Sequence, residues 1–150
     1  MKTRIPPPFI GFLAALLILA LDYLLPGARI DFPGQLIVTL VLVAASILVQ
    51  ILSIGRFRKV GTTINPLQPE SAATLVTDGI FGLTRNPMYL SLALLLLALS
   101  VWLGNLIGLV VLAVFVVVIT RWQIIPEEQA LAAKFGDDFR QYKARVRRWL

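Results

Sequence analysis

Two adjacent carboxylates, Glu127 and Glu128, directly follow Pro126 at the end of a long apolar run. The two negative charges repel each other, so the pair favours a positively charged partner. Arg121 lies about two helical turns earlier. The simpler interpretation is a helix start, because acids in the first turn after a proline stabilise the helix dipole. The pair alone leaves both interpretations open.

A second candidate is the run Arg85-Asn86-Pro87-Met88-Tyr89, which precedes another apolar segment. In a purely structural interpretation, Asn86 is an N-cap and Pro87 the first helical residue. Arg85 and Tyr89 are then interfacial anchors of the following membrane helix. Neither this run nor the carboxylate pair is specific alone. Their placement on the same side of the membrane, argued below, makes a joint binding site the alternative.

The chain has no cysteine and no histidine, which excludes several types of catalytic and metal site. It therefore has no disulfides, no thiolate nucleophile and no thiolate or histidine metal site. Serine–histidine hydrolysis is excluded as well. Any reaction must use carboxylates, Arg, Lys, Tyr or a bound cofactor, and we expect no metal.

The elements that must position these residues are membrane helices. The chain has 150 residues, of which 58% are hydrophobic, whereas about 45–50% is usual for soluble domains. A spanning helix needs about 20 apolar residues. The pattern predicts a single all-α domain, residues 1–150, built as a multi-pass membrane bundle of about four transmembrane helices. Their predicted ranges are 9–25, 35–54, 88–103 and 106–125, and Gly104-Asn105 is the turn between the last two.

Residues 126–150 predict a C-terminal amphipathic helix lying in the membrane interface. Its apolar residues recur at spacings of three and four, and basic residues occupy much of the remaining surface. Gly136 is a candidate kink. The apolar positions are Leu131, Phe135, Phe139, Tyr142, Val146 and Trp149.

The charges predict the topology. Basic residues concentrate before the first helix, in the loop 55–87 and in the tail 126–150, while Arg29 alone falls in the opposite loops, offset by Asp31. By the positive-inside rule, both termini and the loop 55–87 are cytoplasmic. The net charge of +6 is thus a topology signal, and we expect no nucleic-acid partner. Both candidate motifs then meet on the cytoplasmic face.

A series of motifs follows in order over about residues 60–150: Gly61–Pro66, Leu75–Gly79, Arg85–Leu90, Pro126–Leu131, Phe135-Gly136, Tyr142 and Val146–Trp149. In these motifs the sequence resembles the isoprenylcysteine carboxyl methyltransferases and, in the same superfamily, the phospholipid N-methyltransferases. Isoprenylcysteine enzymes usually have His where this chain has Asn86, so Asn-Pro-Met-Tyr is closer to the phospholipid enzymes.

The resemblance implies an S-adenosylmethionine site facing the cytosol. Carried over by position, its residues are Arg85, Asn86, Pro87, Tyr89, Glu127 and Glu128, with Arg121 as a further candidate. The carboxylates suit the cofactor's ammonium, and Arg85 or Arg121 suits its carboxylate. Arg85 and Glu128 are the candidate catalytic residues.

The resemblance further implies a lipid-like or prenylated acceptor that enters from the bilayer and is methylated on a carboxyl oxygen or an amine nitrogen. A carboxylate needs no general base, whereas an amine must give a proton to Glu128 or water. The alternative is a non-enzymatic membrane protein that binds lipid or assists assembly, with Glu127-Glu128 only a helix start. A small transporter is disfavoured, because Asp22 and Arg121 both lie near helix ends.

Overall fold

The computed structural model describes residues 5–26, 29–61 and 74–150, which are mostly helical. Within these ranges no β-strand forms, apart from one isolated bridge between Arg29 and Asn105. The predicted all-α membrane helix bundle is therefore confirmed. Of the motif Gly61–Pro66, only Gly61 lies among the described residues. The helices are α1 (Pro7–Leu24), α2 (Gln35–Val60), α3 (Pro87–Leu103), α4 (Leu106–Ile119) and α5 (Ile125–Arg145), with a 3₁₀ turn at Gly79–Gly82 and a π-helical turn at Thr120–Ile124.

Three helical stretches of the described chain are long and apolar enough to cross a membrane: α1, α2 and the continuous helix that begins with α4. Helix α3 is apolar but has only 17 residues, the lower limit for a crossing of about 17–25 residues. Large apolar side chains such as Leu16, Ile37 and Val110 are exposed on the outside of the bundle. Lipid solvates such surfaces, so the outward apolar faces fit a membrane protein.

Helix α2 ends at Val60 rather than at the predicted Ile54. A glycine inside a helix costs only about 1 kcal/mol, so Gly55 does not stop it. Arg56 of the extension forms an ion pair with Asp78. The extension thus connects α2 to the segment that precedes α3.

Helix α3 lies at the centre of the bundle, with α2 on one side and α1 and α4 on the other. Helices α1 and α2 therefore flank a groove that has α3 as its floor. The main buried cluster holds these helices together, with members Ile18, Tyr89, Leu96, Val111, Phe115, Ile119 and Ile124.

The turn between α3 and α4 falls where the sequence predicts it. Gly104 has φ +65°, and a Cβ there would lie 2.7 Å from the carbonyl oxygen of Ile30, so a side chain is excluded. Asn105 caps α4, since its Oδ1 accepts from the backbone N–H of Ile107 at 2.9 Å. The same side chain donates to Asp22 at 2.9 Å.

The end of the bundle near this turn is closed by polar contacts. Arg29 donates to both carboxylate oxygens of Asp22, at 2.9 and 2.5 Å. The positive charge of Arg29 is thus paired with the carboxylate of Asp22, whereas the sequence suggested the neighbouring Asp31. Gln35 donates to the backbone carbonyls of Val101 and Trp102. These contacts fix the α1–α2 loop to the α3–α4 turn.

At the other end, α4 passes through the π-helical turn into α5 without a break. Pro126 lacks an N–H and disrupts regular α-helical bonding, and the π-helical turn stands directly before it. Inside α5, Gly136 has φ +51° and ψ −117°, so the predicted kink is present. The kink redirects the rest of α5, whose apolar side chains pack on the segment before α3 rather than only on lipid. Those side chains are Phe139, Tyr142 and Val146, packed with Leu75, Leu131 and Phe135.

Candidate functional site

A cavity of about 370 Å³ lies where α2, the start of α3 and α5 meet. Its volume falls within the range of about 300–1,000 Å³ that is typical of small-molecule sites. Arg121 is exposed and does not line it. The other predicted site residues all line it: Arg85, Asn86, Pro87, Tyr89, Glu127 and Glu128.

Arg85 is the most constrained of these residues, with only 8% of its side chain exposed. One terminal nitrogen donates to Glu128 Oε1 at 2.7 Å. The other donates to the carbonyls of Lys143 and Val146. Its Nε is buried and has no hydrogen-bond partner among the described residues. A buried unpaired donor is unfavourable, so Arg85 keeps one unused donor in a side chain that lines the cavity.

Glu128 is neutralised by two guanidinium groups. Besides Arg85, Arg148 donates to both of its oxygens, at 3.0 and 2.7 Å. Burial alone raises the pKa of Glu128, but the hydrogen bonds and charges of Arg148 and Arg85 outweigh it and hold that pKa below its usual value. Glu128 is therefore an ionised carboxylate whose oxygens are already occupied.

Glu127 has the opposite environment, although it is the adjacent residue. Its Oε2 accepts a hydrogen bond of 2.9 Å from the Tyr89 hydroxyl, and no ion pair to it forms among the described residues. Burial raises the pKa of Glu127 to about 7; the hydrogen bond from Tyr89 lowers this pKa, and the nearby charge of Glu128 raises it to a lesser extent. A carboxylate without a counter-charge favours a cationic ligand.

Asn86 is at the N-cap position of α3 and Pro87 is its first residue, as predicted, but the Asn86 side chain makes no capping hydrogen bond. Instead its Nδ2 donates to the carbonyl of Arg148 at 2.9 Å. The backbone N–H of Arg85 donates to the carbonyl of Arg147 at 3.0 Å. Residues 146–148, here called the C-terminal strap, are thus fastened across the start of α3 by their carbonyl oxygens.

An aromatic wall, formed by Phe57, Phe81, Phe139 and Tyr142, lines the cavity beside these charges. Phe57 and Phe81 contact edge to face with centroids 5.1 Å apart. The Tyr142 hydroxyl donates to the carbonyl of Phe81 at 2.7 Å, and burial raises the pKa of this phenol. The wall offers flat apolar surfaces of the kind that bind a heteroaromatic ring.

Several residues at the cavity were not identified from the sequence as site residues, and Arg148 and Gln50 are the polar examples. Arg148 belongs to the tail whose basic residues the sequence assigns to the membrane interface. The structure makes it the second partner of Glu128. Gln50 lines the cavity from the middle of α2; a single amide inside a long apolar run was the available signal.

The sequence matches a protein-family model and known proteins. The family model described as phospholipid methyltransferase matches residues 35–138. A Haemophilus influenzae protein described as uncharacterized is 52% identical over 63 residues, which is 42% of this chain and 100% of that protein. The Schizosaccharomyces pombe protein-S-isoprenylcysteine O-methyltransferase is 32% identical over 72 residues, 48% of this chain but only 30% of the yeast protein. No solved structure matches the chain.

Proposed function

Because the chain belongs to the phospholipid methyltransferase family, we propose that it transfers a methyl group from S-adenosylmethionine to a lipid-like acceptor in the membrane. The observation that supports this most strongly is the pairing, in one cavity, of an uncompensated carboxylate with an unpaired guanidinium N–H. Glu127 is the carboxylate and Arg85 the guanidinium. An amino-acid moiety requires such a pair, an acceptor for its ammonium and a donor for its carboxylate.

The chemistry of the lining residues fits S-adenosylmethionine. Glu127 would hold the α-ammonium, and the free Nε–H of Arg85 would hold the α-carboxylate. The aromatic wall would receive the adenine ring. Pro87 and Asn86 shape the cavity wall between these groups. Arg121 is left outside the proposed site because it does not line the cavity.

Glu128 then positions Arg85 rather than contacting the cofactor. Both of its oxygens accept from Arg148, and Oε1 also accepts from Arg85. A guanidinium held in this way presents its remaining donor in a fixed direction, which lowers the entropy lost on binding.

When bound, the cofactor supplies an electrophilic methyl group on a positively charged sulfur. The chain contributes alignment and the exclusion of water, since an in-line displacement requires no metal. A carboxylate acceptor needs no base. An amine acceptor must lose a proton, and water receives it, because Glu127 pairs with the cofactor's ammonium and Glu128 is neutralised by Arg85 and Arg148.

The arrangement of the helices supports separate entrances. The cavity is lined by Gln50 of α2 and by Pro7 and Pro8 of α1, so it extends to the groove between these two helices. A lipid-like acceptor enters through this groove, while the cofactor enters from the cytoplasmic side near α5. Both termini are cytoplasmic in this proposal, as the positive-inside rule predicts.

Methyl transfer is tested with purified protein in vesicles and S-adenosylmethionine labelled in its methyl group. We expect label in phosphatidylethanolamine or in N-acetyl-S-farnesylcysteine. The Arg85→Lys variant keeps the charge but loses the planar fork, and should lose nearly all activity. Arg140→Lys, on the exposed part of α5, is the matched control. If the folded protein labels none of the membrane lipids and prenylated thiols supplied, the result would favour a non-enzymatic lipid-binding protein.

A further inference from the structure

Helix α2 has a row of polar residues on the side that faces α3. Three of them make hydrogen bonds that account for their hydroxyls: Thr39 and Ser53 donate to their own helix, and Ser46 donates to the carbonyl of Ser91 at 2.7 Å. Hydroxyl groups of this kind are common contacts between membrane helices. These three therefore require no ligand.

Gln50 differs from its neighbours because it lines the cavity. Its Oε1 accepts from the Ser91 hydroxyl at 2.6 Å. Its Nε2 donates to no described residue. The free end of the amide is therefore a donor, which suits an acceptor such as a carbonyl oxygen.

Gln50 lies toward the middle of α2, and its partner Ser91 lies in the second turn of α3. Gln50 lies about 10 Å deeper along α2 than Phe57, by the rise of 1.5 Å per residue. The charged lining residues among those described are Arg85, Glu127 and Glu128, at the starts of α3 and α5. The lining also includes apolar residues such as Leu92, Pro7 and Pro8. The amide of Gln50 is uncharged, so it offers a charged ligand group no counter-charge.

We propose that Gln50, oriented by Ser91, hydrogen-bonds an uncharged carbonyl group of the lipid methyl acceptor and so sets how deep the acceptor sits. This proposal rests on the proposed methyltransferase function. The carbonyl belongs either to an ester-linked glycerolipid or to the amide of a prenylated cysteine. Both present a neutral oxygen next to an apolar chain, which is the chemistry of this end of the cavity.

Matched pairs of acceptors test the proposal. The first pair is a diester phosphatidylethanolamine and its diether analogue; the second is N-acetyl-S-farnesylcysteine and S-farnesylthiopropionate, which lacks the amide. In the wild type, loss of the carbonyl should raise the acceptor KM about tenfold for the pair that is methylated, the effect of one hydrogen bond. In Gln50→Leu, the two members of that pair should have equal KM values. Ser46→Ala, on the same face of α2 but outside the cavity, should keep the wild-type discrimination.

The outcomes separate this proposal from the function on which it rests. Equal KM values for both members of the pair in the wild type, or undiminished discrimination in Gln50→Leu, would overturn it. Lack of methylation of either pair would overturn it too. In each case, calorimetric binding of S-adenosylmethionine by wild-type protein and by Gln50→Leu would show that the methyltransferase site is intact.

Discussion

Adjacent acidic residues can have different functions when a helix points them at different partners. Glu127 faces Tyr89 and the cavity, and Glu128 faces Arg85 and Arg148. The two carboxylates are therefore separated electrostatically although they are covalent neighbours. Substitution of each by Gln, which preserves size, should produce different losses.

Glu127→Gln should lower cofactor affinity without unfolding the protein. Loss of a charge-assisted contact to a buried ammonium costs about 2–5 kcal/mol, which is roughly a 30-fold to several-thousand-fold rise in Kd. Calorimetry in detergent measures it. Asp137→Asn, an exposed acid on the same helix, should bind normally. Wild-type affinity in Glu127→Gln would show that Glu127 is only a helix-start residue.

Glu128→Gln should instead destabilise the protein. It leaves two guanidinium groups without their counter-charge, and breaking such a partly buried network costs about 2–4 kcal/mol. Thermal unfolding in detergent should show a large fall in Tm. A Tm equal to that of Asp137→Asn would contradict the neutralising function assigned to Glu128.

The pH dependence of binding follows from the pKa of Glu127, about 7 in the free protein. An ammonium binds the ionised form, so cofactor affinity should fall below pH 7, by about tenfold per pH unit. The contribution of this residue to the free energy of unfolding depends on pH with the opposite sign. Because its pKa is raised on folding, its stabilising contribution is present below its unfolded pKa and is lost as the pH rises through about 7. Titrations between pH 5.5 and 8 should show the fall in wild type and a flat profile in Glu127→Gln.

At the scale of the element, the C-terminal strap is hydrogen-bonded to the residues at the start of α3. Carbonyls of residues 146–148 receive hydrogen bonds from Arg85 and Asn86. Trp149 follows the strap and donates to Thr120 at 3.1 Å. The strap thus connects α5, α3 and the π-helical turn.

Deletion of residues 146–150 should therefore abolish cofactor binding and lower the Tm. The deletion leaves buried donors of Arg85 and Asn86 unpaired, which costs about 1–3 kcal/mol for each. Deletion of the exposed Leu150 alone is the control and should be neutral. Normal calorimetric binding by the longer deletion would mean that the strap does not organise the site.

The elements also show what the sequence could and could not predict. Apolar length and the Gly104-Asn105 turn located the helices to within a few residues. The end of α2 was misplaced because Arg56 pairs with Asp78, a contact between residues distant in sequence. For the same reason the side chain of Asn86 looked like a cap from its local sequence. Its actual partner, the carbonyl of Arg148, could not be predicted from local preferences.

At the scale of the whole molecule, the proposed site requires that α3 and α5 begin on the same side of the membrane. The closed polar end, with Asp22, Arg29 and Asn105, lies at the opposite end of the bundle. One end is thus fixed by ion pairs between loops, and the other contains the cavity. The positive-inside rule predicts that the cavity end is cytoplasmic.

Single cysteines in this cysteine-free chain test that topology. A membrane-impermeant thiol reagent should label Ser71→Cys and Leu150→Cys from the cytoplasmic side only. Ser71 lies outside the described residues, but its place in the sequence between α2 and α3 is sufficient for this purpose. Asp31→Cys, between α1 and α2, should label from the opposite side. Labelling of the Ser71 and Leu150 variants from opposite sides would be incompatible with the proposed site.

The central claim is that one cavity binds S-adenosylmethionine through Glu127 and Arg85, and calorimetric titration of the purified wild-type protein tests it most directly. The account predicts saturable binding of S-adenosylmethionine with one site per chain at pH 8. It also predicts weaker binding at pH 6 and in Glu127→Gln. The claim would be contradicted if folded protein, supplied with lipid, gave no heat of binding with either the cofactor or its demethylated product.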